Sequence, residues 1–261
     1  MCYPFDAEPP ESPGAKGTFQ GQDLRLSSKD GTPFAAYYAK PEATSAIGVV
    51  VLPDIRGLFS FYEELARGFA QQGMNAVAID YFGRTAGVSK RNEDFPWQEH
   101  VRQTKAEQIS EDVSAAVAFL RSPAGGGCTD IFTIGFCFGG SNSWLQAANG
   151  HGLAGAIGFY GRPGPSFADN SPGPLARASE MQAPLLLLMG GADQGIPVEQ
   201  VQELDKALTD AGVEHELKIY DGAPHSFFDR AYQEFADESK DAWQRVMAFI
   251  HKHSRTPAGA R

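Results

Sequence analysis

The chain has 261 residues, 42% of them apolar, and a formal charge of −10 at neutral pH. That content can bury the core of one ordinary α/β domain, and the acidic balance argues against nucleic acid or an anionic membrane surface as the main partner. Cysteines at only positions 2, 128 and 137 give neither a disulfide framework nor a zinc-binding spacing. No basic region followed by an apolar stretch opens the chain, and no apolar run reaches the ~20 residues that span a bilayer. The expectation is a cytoplasmic protein with free thiols.

Residues 1–22 are rich in proline and read as an extended, loosely held arm. Alternating apolar residues at 23–28, the turn Lys29-Asp30-Gly31 and a second alternating run at 34–39 predict an antiparallel hairpin. The unbroken apolar run 47–52 predicts a strand covered on both faces. Strands then alternate with helices: helix 61–72, strand 74–79, a polar stretch to 98, helix 101–121, strand 131–136, and a helix from Phe138 to 148. Strand 153–159, a Gly/Pro/Ser-rich loop at 161–174, strand 185–189, helix 198–211, strand 213–220 and helix 232–252 follow, and 254–261 read as a frayed tail. One α/β domain over 23–253 is expected, with a mostly parallel sheet of about eight strands and helices on both faces. Ligands of such sheets sit beyond the carboxyl ends of the strands, so each chemical candidate is tested by whether it follows a strand.

Cys137 passes. Gly135-Phe136-Cys137-Phe138-Gly139 joins a strand to a helix in the Gly-x-nucleophile-x-Gly pattern of a sharp turn that lifts one side chain above the sheet. A thiol at a helix N-terminus favours thiolate; the plain alternative is a buried structural cysteine. Asp193 follows strand 185–189 through Gly190-Gly191-Ala192, and His225 follows the last strand through Asp221-Gly222-Ala223-Pro224. Of the other histidines, His100 precedes a helix, His151 follows one, His215 opens a strand, and His251 and His253 lie near the C-terminus. Nucleophile, acid, histidine is the chain order of the α/β-hydrolase triad, in which the histidine serves as base and then as acid. That fold would take its oxyanion hole from the backbone N–H groups of Ile55, in the loop Pro53-Asp54-Ile55-Arg56-Gly57, and of Phe138. Asp54 and Arg56 read either as site residues or as a solvated loop pair, and Arg84 either as a contact for a substrate carboxylate or as a surface arginine.

With these residues in place the chain resembles the dienelactone hydrolase (carboxymethylenebutenolidase) family from about Asp23 to Lys252. Gly-Phe-Cys-Phe-Gly-Gly, Asp-Ile-Arg-Gly, Phe159-Tyr160-Gly161, Gly191-Ala192-Asp193 and Ala-Pro-His-Ser-Phe-Phe fall in family order. The resemblance implies a Cys137–His225–Asp193 triad that opens a small lactone or activated ester through a thiol ester, with no metal or cofactor. It also implies that Asp54, Arg84, Tyr160 and Arg230 meet the substrate. Two positions depart from the family pattern: Asp54 replaces a glutamate that helps deprotonate the thiol, and Asp229 replaces the second of two carboxylate-binding arginines, with Arg230 one place on. A broad-pocket carboxylesterase or thioesterase is the neighbouring enzyme reading. A redox-sensing or ligand-binding protein without turnover is the reading from another class. The expected partner is a small ester or lactone, with neither nucleic acid nor membrane, and both a monomer and a homodimer fit the sequence.

Overall fold

The early alternation folds as an antiparallel hairpin, β1 (Phe19–Ser27) and β2 (Pro33–Pro41). The computed structural model describes residues 7–12, 14, 16–229 and 231–255. After the hairpin come β3 (Ile47–Leu52), α1 (Ser60–Gln71), β4 (Asn75–Ile79), α2 (Gly83–Ala86), α3 (Trp97–Val101) and α4 (Ala106–Arg121). The second half holds β5 (Asp130–Phe136), α5 (Phe138–Gln146), β6 (Gly155–Phe159), β7 (Leu185–Gly190), α6 (Val198–Asp210), β8 (His215–Tyr220) and α7 (Ala236–His253). The eight strands form one sheet in the order β1-β2-β4-β3-β5-β6-β7-β8. Its β1–β2 and β2–β4 pairs are antiparallel and the remaining pairs parallel.

The continuous apolar runs are explained by burial on both faces. In β3, Val49 and Val51 point into the core that α1 and α7 cover, while Val50 and Leu52 point into the core against α4. In β7, Leu186 and Leu188 face the first of these cores, and Leu185, Leu187 and Met189 pack with Trp144 and α6. A two-residue side-chain period with apolar residues at every position thus fills both faces. Each such Val or Leu contributes roughly 1.5–3 kcal/mol of burial.

Three boundaries differ from the sequence reading. The helix expected over 101–121 is two helices, because Thr104 Oγ1 donates to the Val101 carbonyl (2.7 Å) and α4 restarts at Ala106. The Ala106 N–H donates to Asp169 Oδ2 at 2.9 Å, so a carboxylate from the 161–174 loop satisfies and electrostatically favours that new N-terminus. Of the predicted N-terminal arm, residues 1–6, 13 and 15 lie outside the described residues, and the described part is tied down at two points. Trp243 Nε1 donates to the Pro10 carbonyl (2.9 Å), the Gly17 N–H donates to the Gln71 carbonyl (2.8 Å), and β1 begins at Phe19, before Asp23. Of the predicted tail, Arg255 donates its backbone N–H to Asp130 Oδ2 (3.0 Å), and 256–261 lie outside the described residues.

The parallel strands all end at one edge. That edge collects the 53–57 loop after β3, Cys137 after β5, the 160–174 loop after β6, Asp193 after β7 and His225 after β8.

Candidate active site

Cys137 stands between β5 and α5 with φ 56° and ψ −113°, a conformation L side chains rarely adopt. The flanking glycines are there for space. A Cβ on Gly135 would lie 1.9 Å from the Gly139 carbonyl oxygen, and one on Gly139 would lie 2.2 Å from that of Leu52. Larger residues would push the first turn of α5 off the ends of β5 and β3. The Cys137 N–H donates to the Phe159 carbonyl at 3.0 Å, which fixes the turn to β6 as well. Tyr160 (φ 37°) and Ser226 (φ 61°) are two further non-glycine residues at positive φ on this edge. Such strain persists where surrounding packing over-determines it, commonly at functional sites.

His225 Nδ1 donates to Asp193 Oδ2 at 2.6 Å, and the ring contacts the Cys137 thiol through its other nitrogen. Asp193 is held in place by its second oxygen, Oδ1, which accepts from the N–H groups of Gly195 (2.8 Å) and Ile196 (3.2 Å). Burial works to lower the His225 pKa. The hydrogen bonds to Asp193 and Cys137 and their charges outweigh it and push the imidazole up to about 10. The structure therefore favours a protonated ring beside the sulfur. Cys128, the other described cysteine, is different: burial pushes its thiol up to about 11, and it sits in the core against α4.

The loop after β3 forms a turn in which the Gly57 N–H donates to the Asp54 carbonyl (3.2 Å). Ile55 takes the first corner, where a turn leaves the N–H unused. Among the described residues, neither the Ile55 N–H nor the Phe138 N–H donates to an acceptor within the chain, and the close approach of Gly139 to Leu52 and Pro53 brings the start of α5 against this loop. Asp54 is fully buried, and its carboxylate accepts from Arg56 Nη2 at 3.0 Å and from the Arg56 N–H at 2.8 Å. Asp54 and Arg56 are thus a pair, but a buried one, with Arg56 also 4.3 Å over the Phe59 ring.

A cavity of about 610 Å³ opens beside Cys137 and His225. Phe138, Leu145, Phe167, Ile196 and Pro224 give it an apolar wall, and Ser141, Asn142, Arg162 and Gln194 supply polar groups. Neither Asp54 nor Arg84 lines it. Arg84, expected to meet a substrate carboxylate, instead binds Asp112 (2.9 and 3.0 Å), Glu111 (3.2 Å) and Asp30 (3.1 Å). Three carboxylates of its own chain have already taken that guanidinium. Tyr160 does line the cavity with its ring 4.9 Å from that of His225, but its hydroxyl donates to buried Asp229 at 2.8 Å. Asp229 therefore points at Tyr160 and is absent from the cavity wall; Arg230 lies outside the described residues. Ser141, Arg162 and Gln194 were missed by the sequence reading. Arg162 had a usable signal, since it follows the end of β6 by three residues.

Comparison with known proteins shows the family. The family model described as "Dienelactone hydrolase family" matches residues 34–254. The chain belongs to the dienelactone hydrolase family. It is accordingly a hydrolase of the ester and lactone class. A relative from Methylorubrum extorquens, bearing the name "Putative carboxymethylenebutenolidase", is 30% identical over 96% of this chain and 87% of its own. A relative of the same name from Salmonella typhimurium is 30% identical over 96% of this chain and 97% of its own. Among solved structures, a Klebsiella pneumoniae "Putative Dienelactone Hydrolase" superposes with a TM-score of 0.79 at 27% identity, covering 90% of this chain and 99% of that one. A dienelactone hydrolase-like phosphotriesterase from metagenomic libraries shares the fold at 20% identity, with a TM-score of 0.75 over 90% of this chain and 99% of its own. Among the described residues no helix is long and apolar enough to cross a membrane.

Proposed function

We propose that this dienelactone hydrolase homologue is a cysteine hydrolase that opens a small lactone or activated ester through a thiol ester on Cys137. The observation that carries the reading is the strained Cys137 elbow facing a histidine whose far nitrogen is 2.6 Å from Asp193, at the wall of an apolar cavity. With the proton of the Cys137 thiol already resting on His225, the sulfur adds to the substrate carbonyl carbon. The carbonyl oxygen takes the electron pair and is met by the N–H groups of Ile55 and Phe138, which have no competing acceptor among the described residues.

Collapse of the tetrahedral adduct breaks the bond to the alcohol oxygen, which takes the proton from His225. In a lactone that oxygen stays tethered to the acyl chain. Water then gives a proton to His225 and adds to the thiol ester, releasing the acid and restoring the thiolate–imidazolium pair. Asp193 holds the Nδ1–H and so keeps the other nitrogen turned to the sulfur throughout.

Turnover of p-nitrophenyl acetate by the wild type and by Cys137→Ala tests the reading. Loss of nearly all activity in the variant is expected, and equal rates would overturn it. Cys137→Ser should keep the fold and lose most activity, because an alkoxide is much harder to form than a thiolate at neutral pH.

A further inference from the structure

We propose that Phe167 is an aryl-binding platform of the catalytic cavity, stacking on an aromatic ring carried by the acyl part of the ester that Cys137 attacks. This rests on the ester-hydrolase reading and goes beyond it by naming a substrate class, the esters of aryl-substituted carboxylic acids.

Among the described residues two large apolar side chains are exposed, Val88 at 38% and Phe167 at 52%. Of these, Phe167 alone lines the cavity beside Cys137 and His225. A single apolar residue elsewhere on a surface is ordinary. A phenyl ring left half in water on the wall of an apolar cavity is different, because an apolar group entering that cavity removes both surfaces from water. Leu145, Ile196 and Pro224 complete the apolar lining.

The ring also ends a file of aromatic side chains. Tyr81 meets Phe138 edge-on with ring centres 5.5 Å apart, and Phe138 meets Phe167 at 5.4 Å with the planes 58° apart. Tyr81 and Phe138 are buried, so the file opens at Phe167. Phe138 also carries one of the N–H groups assigned to the oxyanion, and its ring is the link between that group and Phe167. An aryl group on the acyl chain extends the file by one more ring, at the centre-to-centre spacing of about 4.5–7 Å that aromatic pairs prefer.

The turn that carries Phe167 is fixed. The Ser166 N–H donates to the Ser171 carbonyl (3.0 Å), the Asn170 N–H donates to the Ser166 carbonyl (2.9 Å), and the Ala168 N–H donates to Ser166 Oγ (3.2 Å). Asp169 ties the turn to α4 through the Ala106 N–H, and the Leu175 N–H closes the base of the loop on the Pro163 carbonyl at 2.9 Å. Phe167 is thus held out over the cavity by backbone that is already satisfied, and a preorganised ring loses little freedom when a substrate covers it.

The test compares kcat/KM for p-nitrophenyl 3-phenylpropanoate with that for p-nitrophenyl propanoate, two esters with the same leaving group and closely matched carbonyls. The aryl-to-alkyl ratio should fall about 3- to 10-fold in Phe167→Ala, the range of one lost aromatic pair, and be kept in Phe167→Tyr. A ratio unchanged in Phe167→Ala, or a fall that Phe167→Tyr shares, would overturn the proposal.

A second readout needs no ester. The Cys137 sulfur displaces iodide from iodoacetamide and from N-phenyl iodoacetamide, and the second reagent alone carries a ring for Phe167 to hold. The ratio of the two alkylation rates at Cys137, read by peptide mass spectrometry, should fall in Phe167→Ala and be kept in Phe167→Tyr. An aryl preference lost in Phe167→Ala without hydrolysis of any ester would retain the platform and remove the catalytic reading. Ester hydrolysis at Cys137 with both ratios indifferent to Phe167 would do the reverse.

Discussion

The carboxyl edge of the sheet holds two charged regions built on opposite principles. Beyond β4, Asp80 and Arg91 are both buried and joined at 2.8 Å, and Arg84 is closed by three carboxylates from β1–β2 and α4. Beyond β5, β6, β7 and β8, the Cys137 backbone is strained, His225 is a third exposed, and Arg162 lines the cavity. Both regions follow strands, and both were candidates on position alone. What separates them is whether each donor and acceptor is already satisfied within the chain. Filled groups stabilise; open ones are free to meet a substrate. Substitutions in the β4 region should therefore reduce stability and spare chemistry, and those in the other should remove chemistry from a chain that still folds.

The largest effect is expected from His225→Ala, which should lower kcat/KM for p-nitrophenyl acetate on the order of 10²–10⁴-fold with the protein still folded at neutral pH. A steady-state assay beside a thermal melt reads both, and a variant that unfolds but keeps its specific activity would erase the contrast. The charge state of His225 comes next. Its folded pKa is raised, to about 10, so the proton it holds stabilises the fold below the unfolded value and that stability is lost as the pH rises through about 10. An NMR titration of the imidazole should show it protonated through neutral pH, with a clearly lower midpoint in Asp193→Asn. Equal midpoints would mean that Asp193 does not hold the ring's proton.

In the β4 region, Arg84→Ala should cost about 3 kcal/mol by leaving Asp112 buried without its ion pair, measured by urea denaturation, with ester turnover close to wild type. Asp112→Asn sharpens the same point. Burial pushes the Asp112 carboxyl up to about 6, outweighing its bonds to Ser28 and Arg84. Because that pKa is raised, the wild type should lose stability relative to Asp112→Asn as the pH rises from about 4 to about 6, and the difference should be level above that window. The smallest effect is expected from Asp169→Ala, which removes the carboxylate at the start of α4 and should cost ~1 kcal/mol.

Much of this was legible in the sequence. The runs 47–52, 131–136 and 185–189 marked the core strands because strands buried on both faces need an apolar residue at every position. Gly135 and Gly139 marked the elbow because the close approach of α5 to β3 and β5 excludes a Cβ at both. The break between α3 and α4 was not legible, since the carboxylate that restarts the helix is Asp169, 63 residues away from Ala106. Arg84 misled for the same reason. A strand-end position can be read from sequence, but the three carboxylates that close on Arg84 come from distant turns and helices. Arg162 follows a strand as Arg84 does, and only the folded structure shows that carboxylates close on Arg84 while Arg162 lines the cavity.

The central claim is that the open region does covalent chemistry at one sulfur. Acid-quenched p-nitrophenyl acetate reactions, followed by peptide mass spectrometry, test it most directly. The account predicts a transient acetyl group on the Cys137 peptide, formed at the rate of the p-nitrophenolate burst and absent in Cys137→Ala. An acetyl group confined to another residue, or a burst that survives in Cys137→Ala, would contradict it.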